Sequence, residues 1–431
     1  MGGFRERIGG GLGRLRGRVR VRWRFNVSEE IRKDFKEGAF SLMLCNLGDY
    51  ISGFFLQVFT PIISSARILM ALLPAASDAR GDVYSSYGSR LGTLLHLGLA
   101  KRLIKEELAS LLTILIAINL WIGGLVTFSV WLVKGNEYLE PVTTTFTAVA
   151  SALISALFMI PATTWLAFTA FKKGWDPDNL VAPIATLFGD IVTVPTLIAS
   201  YKVAKGIPRP AEESVVAALI ALAAGATAYI YVRFRRRGAW RRGWKVIKQN
   251  IPLIMLSTCF STAAGIVLMV HLNEIIAGLG IMAVIPAFLE DGGAIACRFS
   301  ARLSTNLHLG KIEARFIPRD SWVVKWVLTQ FIVNMAHAVM IFGALGTFGY
   351  AMALWRGATP LWGLKVFTIV MIAGLILAVI VSILTYFMAI ASFKMGIDPD
   401  NILAPFLTSV ADIIGTSSLA SMLIIFSHWM P

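Results

Sequence analysis

Asp190 and Asp412 are carboxylates set in long apolar stretches, and the same signature leads to each. The first reads Asp176-Pro177-Asp178-Asn179 through Ala182-Pro183 and Thr186 to Asp190; the second reads Asp398-Pro399-Asp400-Asn401 through Ala404-Pro405 and Thr408 to Asp412. A carboxylate at bilayer depth costs roughly 2.5–3.5 kcal/mol even on insertion scales, so it is usually kept for a substrate, an ion or a proton. Asp176 suits an N-cap and Pro177 the first helical position. Counted from there, Asp190 lies 13 residues into a helix, about 20 Å along its axis and beyond the middle of a hydrocarbon core. Helical spacing puts Pro183, Thr186, Asp190 and Thr193 on one face, as it does Pro405, Thr408, Asp412 and Gly415. A proline inside a helix leaves a carbonyl one turn earlier without its partner. Carboxylate, hydroxyl and free carbonyl together are the oxygen set that hard divalent cations prefer. A proton relay, or an acid that only hydrogen-bonds a neighbouring helix, are the other readings of these two residues.

A second acidic group stands at Asp78, Arg80, Gly81 and Asp82, and again at Glu290, Asp291, Gly292 and Gly293. Glycine clusters in a spanning helix permit an unwound turn where the backbone lines a cavity or packs on protein. Arg80 could pair with Asp78 or Asp82 and neutralise it, while the second group has no such arginine. Asp49 aligns with Ser261 and reads as an asymmetric feature outside the core site. Asn119, Asn334 and His337 read as helix-to-helix hydrogen-bonding groups. His96 and His308 are repeated at one end, where an interfacial role fits as well as a ligand role. The three cysteines are scattered and imply neither a disulfide framework nor a metal cluster. No His-Glu-x-x-His, phosphate-cradling glycine loop or Ser/His/Asp set is present, so an enzyme is not expected.

The elements that must carry these residues are membrane helices. With 431 residues, 56% of them hydrophobic, the chain has too much apolar surface for one soluble core. Its apolar runs are too long for the alternating strands of an outer-membrane barrel. Spans are expected at 40–60, 62–94, 108–133, 142–171, 178–201, 212–232, 251–270, 274–306, 323–354, 363–393 and 400–428. With a cytoplasmic N-terminus, 32 of the 40 Lys and Arg fall on the cytoplasmic side, so large a bias that it supports both the span count and the orientation. The C-terminal His428-Trp429-Met430-Pro431 then lies outside, and the location expected is the plasma membrane. Asp176, Asp178, Asn179, Asp398, Asp400 and Asn401 would stand at the cytoplasmic mouth. The net charge of +15 therefore reads as a topology signal and not as a nucleic-acid interface. The basic arm from Arg14 to Arg24 reads first as an anchor to anionic lipid. No cleaved signal peptide is expected.

Pro74 to Gly98 aligns with Pro286 to Gly310 at a constant offset of 212, with ten identities in 25 positions. The Asp-Pro-Asp-Asn blocks align at an offset of 222, with eleven identities in 24. Chance does not place two such blocks in the same order. The fold expected is an all-α polytopic membrane protein of 11 transmembrane helices in two five-helix repeats. Five is odd, yet the basic residues put both copies the same way up, so an extra span is required between them. The organisation is a cytoplasmic arm (1–37), repeat 1 (38–203), a linker carrying the extra helix (204–248) and repeat 2 (249–431). The repeats are parallel, with any shared site between them. Because the two are fused, one chain is expected to work as a monomer.

At these blocks the chain resembles the MgtE and solute carrier 41 magnesium transporters. Arg302-Leu303-Ser304-Thr305 resembles a solute carrier 41 pattern, with Ala301 in place of its leading Ser. Asp176 through Asp190 is similar to the family's fifth-helix signature almost throughout, and the likeness extends over roughly residues 38 to 428. Gly81-Asp82 and Gly293-Ala294 stand where the family has Gly-Asn in its second helix. The resemblance implies a pore between two five-helix units, with Asp190 and Asp412 holding a largely hydrated cation at its centre. MgtE's cytoplasmic sensor domains are not expected here, since only 37 residues precede repeat 1. Transport of a divalent cation is the function expected, Mg²⁺ first and Ca²⁺ or Mn²⁺ as alternatives, with no cofactor. Thr186, Thr408, Asp78, Asp82, Glu290 and Asp291 would line the site and its approach. The runner-up is a secondary transporter of another cation, coupled to Na⁺ or H⁺, or of an organic cation.

Overall fold

Helix is the only regular element among the described residues, as a bilayer demands of a chain that must satisfy its backbone polar groups internally. The computed structural model describes residues 27–173, 177–235, 240–396 and 399–427. The basic arm, Asp176, Asp398 and the His428–Pro431 tail lie outside them, as do the side chains of Asp178, Asn179, Asp400 and Asn401. The chain divides into a short unit, Met1–Glu37, and a long one, Gly38–Pro431.

Thirteen helices are described: α1 (Val27–Val58), α2 (Thr60–Ser65), α3 (Ile68–His96), α4 (Ala100–Lys134), α5 (Pro141–Lys172), α6 (Pro177–Gly206), α7 (Arg209–Arg235), α8 (Trp240–Val270), α9 (Leu272–Ala277), α10 (Ile281–His308), α11 (Ser321–Trp355), α12 (Pro360–Lys394) and α13 (Pro399–Ser427). Seven stretches are long and apolar enough to cross a membrane by length and composition: Ala100–Lys134, Pro141–Lys172, Ile184–Gly206, Gly243–Val270, Ser321–Trp355, Pro360–Lys394 and Phe406–Phe426. The helices α3 and α10 have the length, at 29 and 28 residues, but their charged groups exclude them. Asp78, Arg80 and Asp82 sit within the first, and Glu290, Asp291 and Arg298 within the second.

The expected spans at 62–94 and 274–306 are each two helices and not one. Pro61 lies in the first turn of the six-residue α2, which ends at Ser65; α9 ends at Ala277, and Gly280 turns with φ of 97° before α10 begins. A left-handed turn of that kind breaks any continuous helix. At their far ends α3 and α10 stop alike, on Gly98 and Gly310 with φ of 68° and 65°, the C′ position where a Cβ would be strained. Beside these stops His96 meets Phe171, and His308 meets Phe393, each edge-on with centroids 5.3 Å apart.

α3 packs on α5 and α6, and α10 packs in the same way on α12 and α13. The first long helix of each half crosses to the other half. α8 lies against α3 and α4, and α1 meets α10 and α11 through Gly53, Tyr50 and Phe54. Two backbone crossings fix this exchange. A Cβ on Gly53 would overlap the Ala283 carbonyl oxygen, and a Cβ on Gly265 would overlap that of Ala71. Small residues that let backbones touch are the usual glue of membrane helices. α7 packs on α4, α5 and α8.

Overpacking a tight crossing costs about 1–3 kcal/mol. Gly53→Ala and Gly265→Ala are therefore expected to lower the melting temperature of the detergent-solubilised protein. Gly124→Ala, at a position with no other atom within 4 Å, should hold or raise it. Equal melting temperatures for all three variants would refute the close crossings.

Candidate cation site

Asp78 on α3, Asp190 on α6, Glu290 on α10 and Asp412 on α13 share one small cavity of about 20 Å³, with Ser52, Ser77 and Pro286 in its wall. That volume is on the scale of one water molecule. Sequence spacing placed each acid on its helix, and the packing of α3 on α6 and of α10 on α13 brings them together. Ser77 Oγ donates to Asp190 Oδ1 at 2.5 Å, and Ser52 Oγ donates to the Asp190 carbonyl at 3.1 Å. Asp78 crosses to the other half. It accepts from Ser261 on α8 and from Ser409 Oγ on α13 at 3.4 Å, and its carboxyl group meets that of Asp412.

From Asp78 a polar ladder runs down the seam between α3 and α8. Asp78, Asp82, Ser86 and Arg90 follow one another at four-residue intervals, one helical face of α3. Facing them in antiparallel order, Ser261 donates to Asp78, Ser257 Oγ to Asp82 at 3.2 Å, and Asn250 Oδ1 accepts from Ser86 at 2.9 Å. Arg90 closes the ladder with Glu107 at 2.8 Å and Ser86 at 2.6 Å. The corresponding α10 positions are Glu290, Ala294, Arg298 and Arg302, and Arg298 turns to Asn334 Oδ1 at 2.6 Å. Below the level of the acids, the first seam continues in oxygens where α10 carries Ala294 and two arginines.

Asp49 belongs to the acidic group, against the expectation from its alignment with Ser261. It is buried, and Asp190, Glu290 and Asp291 are its charged neighbours. Helix exchange explains this: as Ser261 on α8 faces Asp78, so Asp49 on α1 faces Glu290, the residue equivalent to Asp78. The signal was the contact and not the residue type. Asp291, one residue past Glu290, turns away from the cavity toward Asn46 and Tyr50 on α1. Thr186 and Thr408 pack one turn from their acids, against Gly81 and Gly293. Arg80 neutralises neither Asp78 nor Asp82. Residues two apart on a helix point to different faces, and the Arg80 guanidinium goes to α5, where Nη2 donates to Ser151 Oγ at 2.8 Å. Among the described residues no three His, Cys, Asp or Glu side chains are gathered as a direct metal-ligand group.

Residues 73–200 and 285–422, more than half of the chain, match the family model MgtE, described as a divalent cation transporter. Helices of this kind with that match define a multi-pass membrane transporter, a class of carriers and not of enzymes. The chain belongs to the MgtE family of divalent cation transporters. It is similar to mouse solute carrier family 41 member 3, at 23% identity over 412 residues, which cover 90% of this chain and 81% of the relative. It is likewise similar to human solute carrier family 41 member 2, at 24% over 404 residues, covering 88% and 68%. No solved structure matches it.

Carboxylates crowded around one small cavity repel one another, and sites built for ligands trade stability for function. Asp412→Asn is expected to raise the melting temperature of the metal-free protein at neutral pH by several degrees. A lower melting temperature, with intact monodisperse protein, would argue that the acid is structural.

Proposed function

We propose that this chain carries a divalent cation, Mg²⁺ first, across the plasma membrane past Asp190 and Asp412. The observation that carries the proposal is the meeting of acids from both halves of the chain at one cavity, with Asp78 touching Asp412. Hard oxygen donors are what such a cation takes, and Mg²⁺ tends to keep its waters and bind carboxylates through them. Carboxyl groups and serine hydroxyls around one cavity are acceptors suited to that mode of holding. The cavity is too small for an ion with its hydration shell, so the helices around it must part for each passage.

In this reading the chain spans the membrane eleven times, with the N-terminus cytoplasmic and the C-terminus outside. The eleven helices of at least 27 residues support the count, and the Lys and Arg bias supports the orientation. Residues 38–203 and 249–431 form parallel repeats joined through 204–248. The twice-matched family model and the paired helix stops at Gly98 and Gly310 support this. The oxygen-lined seam from Asp78 through Asp82 to Ser86 and Asn250 gives the cation its cytoplasmic route. Asp178, Asn179, Asp400 and Asn401, with Asp176 and Asp398, form the mouth. The fusion of both repeats in one chain supports a monomeric transporter. The basic arm holds anionic lipid at the cytoplasmic leaflet.

Equilibrium Mg²⁺ binding to the purified chain, with uptake into proteoliposomes, tests the site. Asp190→Asn and Asp412→Asn should each weaken binding by about tenfold or more, the scale of a lost charge–charge contact at low dielectric. Ca²⁺ and Mn²⁺ in competition rank the ions. Unchanged Mg²⁺ affinity in both variants would sink the central site, and uptake that requires a Na⁺ or H⁺ gradient would favour a coupled exchanger.

A further inference from the structure

A buried arginine stands behind the cavity, and only in the first half of the chain. Arg80 has no exposed surface. Its Nη2 donates to Ser151 Oγ, while Nε and Nη1 have no hydrogen-bond partner among the described residues. Asp190 is its charged neighbour, and the Tyr84 phenol lies beside it. Ser77, Arg80 and Tyr84 are spaced three and four apart on α3, so they share the face that packs on α5 and α6. Ser77 from that face holds the Asp190 carboxylate, and a Cβ at Gly189 would lie 3.9 Å from Arg80 Cβ. Asp190 is thus gripped on one side by a hydroxyl and flanked by a guanidinium. Asp78 lies near both central acids, but Asp412 has Gly292 on α10 where Asp190 has Arg80 on α3.

Packing does not require this arginine. The offset of 212 puts Gly292 in its place in the second half, and the offset of 222 sets Ala373 and Leu377 opposite Ser151 and Ser155. There a Cβ on Gly292 would lie 2.7 Å from Leu377 Cδ2, so an apolar side chain fills the space. The same helix junction closes without a charge. An arginine buried in a membrane protein is expensive and stays where it is paired or functional, and breaking a buried pair leaves an uncompensated charge.

We infer that Arg80 is a tethered counter-cation for Asp190, weakening the hold of the first half on the transported ion so that it can leave. The inference rests on the proposed passage of a divalent cation past Asp190. A conducting site must bind well enough to admit an ion and weakly enough to release it. Three further carboxyl groups around one small cavity would otherwise make a trap. The guanidinium reaches to Ser151 on α5 and takes no part in the cavity wall, so its charge lowers the attraction without obstructing the space. Because it is carried by one half alone, the two central acids are unequal.

The test measures Mg²⁺ binding to the purified full chain at equilibrium and its uptake into proteoliposomes. Arg80→Met should tighten Mg²⁺ by about tenfold, a modest share of a charge–charge energy at protein dielectric, and slow turnover. Arg80→Lys should remain near the wild type. The gain should vanish in Arg80→Met with Asp190→Asn, which a packing role would not produce. Arg80→Gly with Ser155→Leu copies the junction of the second half, so that a folded protein lacking the charge is available if Arg80→Met does not fold; it too should bind more tightly. Equal or weaker binding in the folded charge-free variants, or tightening that persists without the Asp190 carboxylate, overturns the inference while leaving the transport reading standing. A wild-type chain that binds no Mg²⁺ overturns both.

Discussion

Everything in this molecule is arranged around carboxyl groups gathered between helices at one small cavity. Asp78 and Asp412 come from different halves of the chain and touch, with Asp190 and Glu290 across the same cavity. Such a group cannot be tolerated at a helix surface facing lipid, so the helices that carry it must be surrounded by others. That requirement explains why α3 and α10, which are too charged to cross a membrane by composition, lie inside a layer of helices that are apolar enough. It also explains the serines. Ser52, Ser77, Ser257, Ser261 and Ser409 all place hydroxyls on the acids or their backbone, supplying polar contact at small volume.

The halves are alike in backbone and unlike in chemistry. Helix stops, glycine crossings and His–Phe contacts recur at equivalent positions. Around the cavity the same positions hold different groups: Ser261 against Asp49, Asp82 against Ala294, Arg80 against Gly292. In an assembly of two identical chains each substitution would appear on both sides of the axis. A fused chain is released from that constraint, and each half can specialise.

Much of this was legible in the sequence. The two Asp-Pro-Asp-Asn signatures put Asp190 and Asp412 inside long helices, as α6 and α13 have them, and the offset of 212 pairs the glycine stops and crossings that recur. Long helices were legible because apolar length is an unambiguous signal in a membrane protein. What could not be read was everything decided by one helix crossing to another. Asp49 sits opposite Ser261 in an alignment and looks isolated; only the exchange of α1 and α8 shows that it faces Glu290. The direction of Arg80 depended on which neighbour offers an acceptor, and Ser151 is far away in sequence. The breaks before α3 and α10 were hidden because the residues of α2 and α9 are as apolar as a span.

The glycine crossings carry a consequence for how the chain is made. α1 is pressed onto the backbone of α10, and α8 onto that of α3. Synthesis delivers α1 long before α10, with the rest of the first half and α7 in between. Until then α1 has only its contacts with α6, Ser52 on the Asp190 carbonyl and Gly48 beside Leu187, and Asp49 lacks its neighbours Glu290 and Asp291. The first half is therefore left with one face of its opening helix uncovered until α10 and α11 arrive from the far end of the chain. Completing the packing of α1 is an interlocking step between segments made far apart in time.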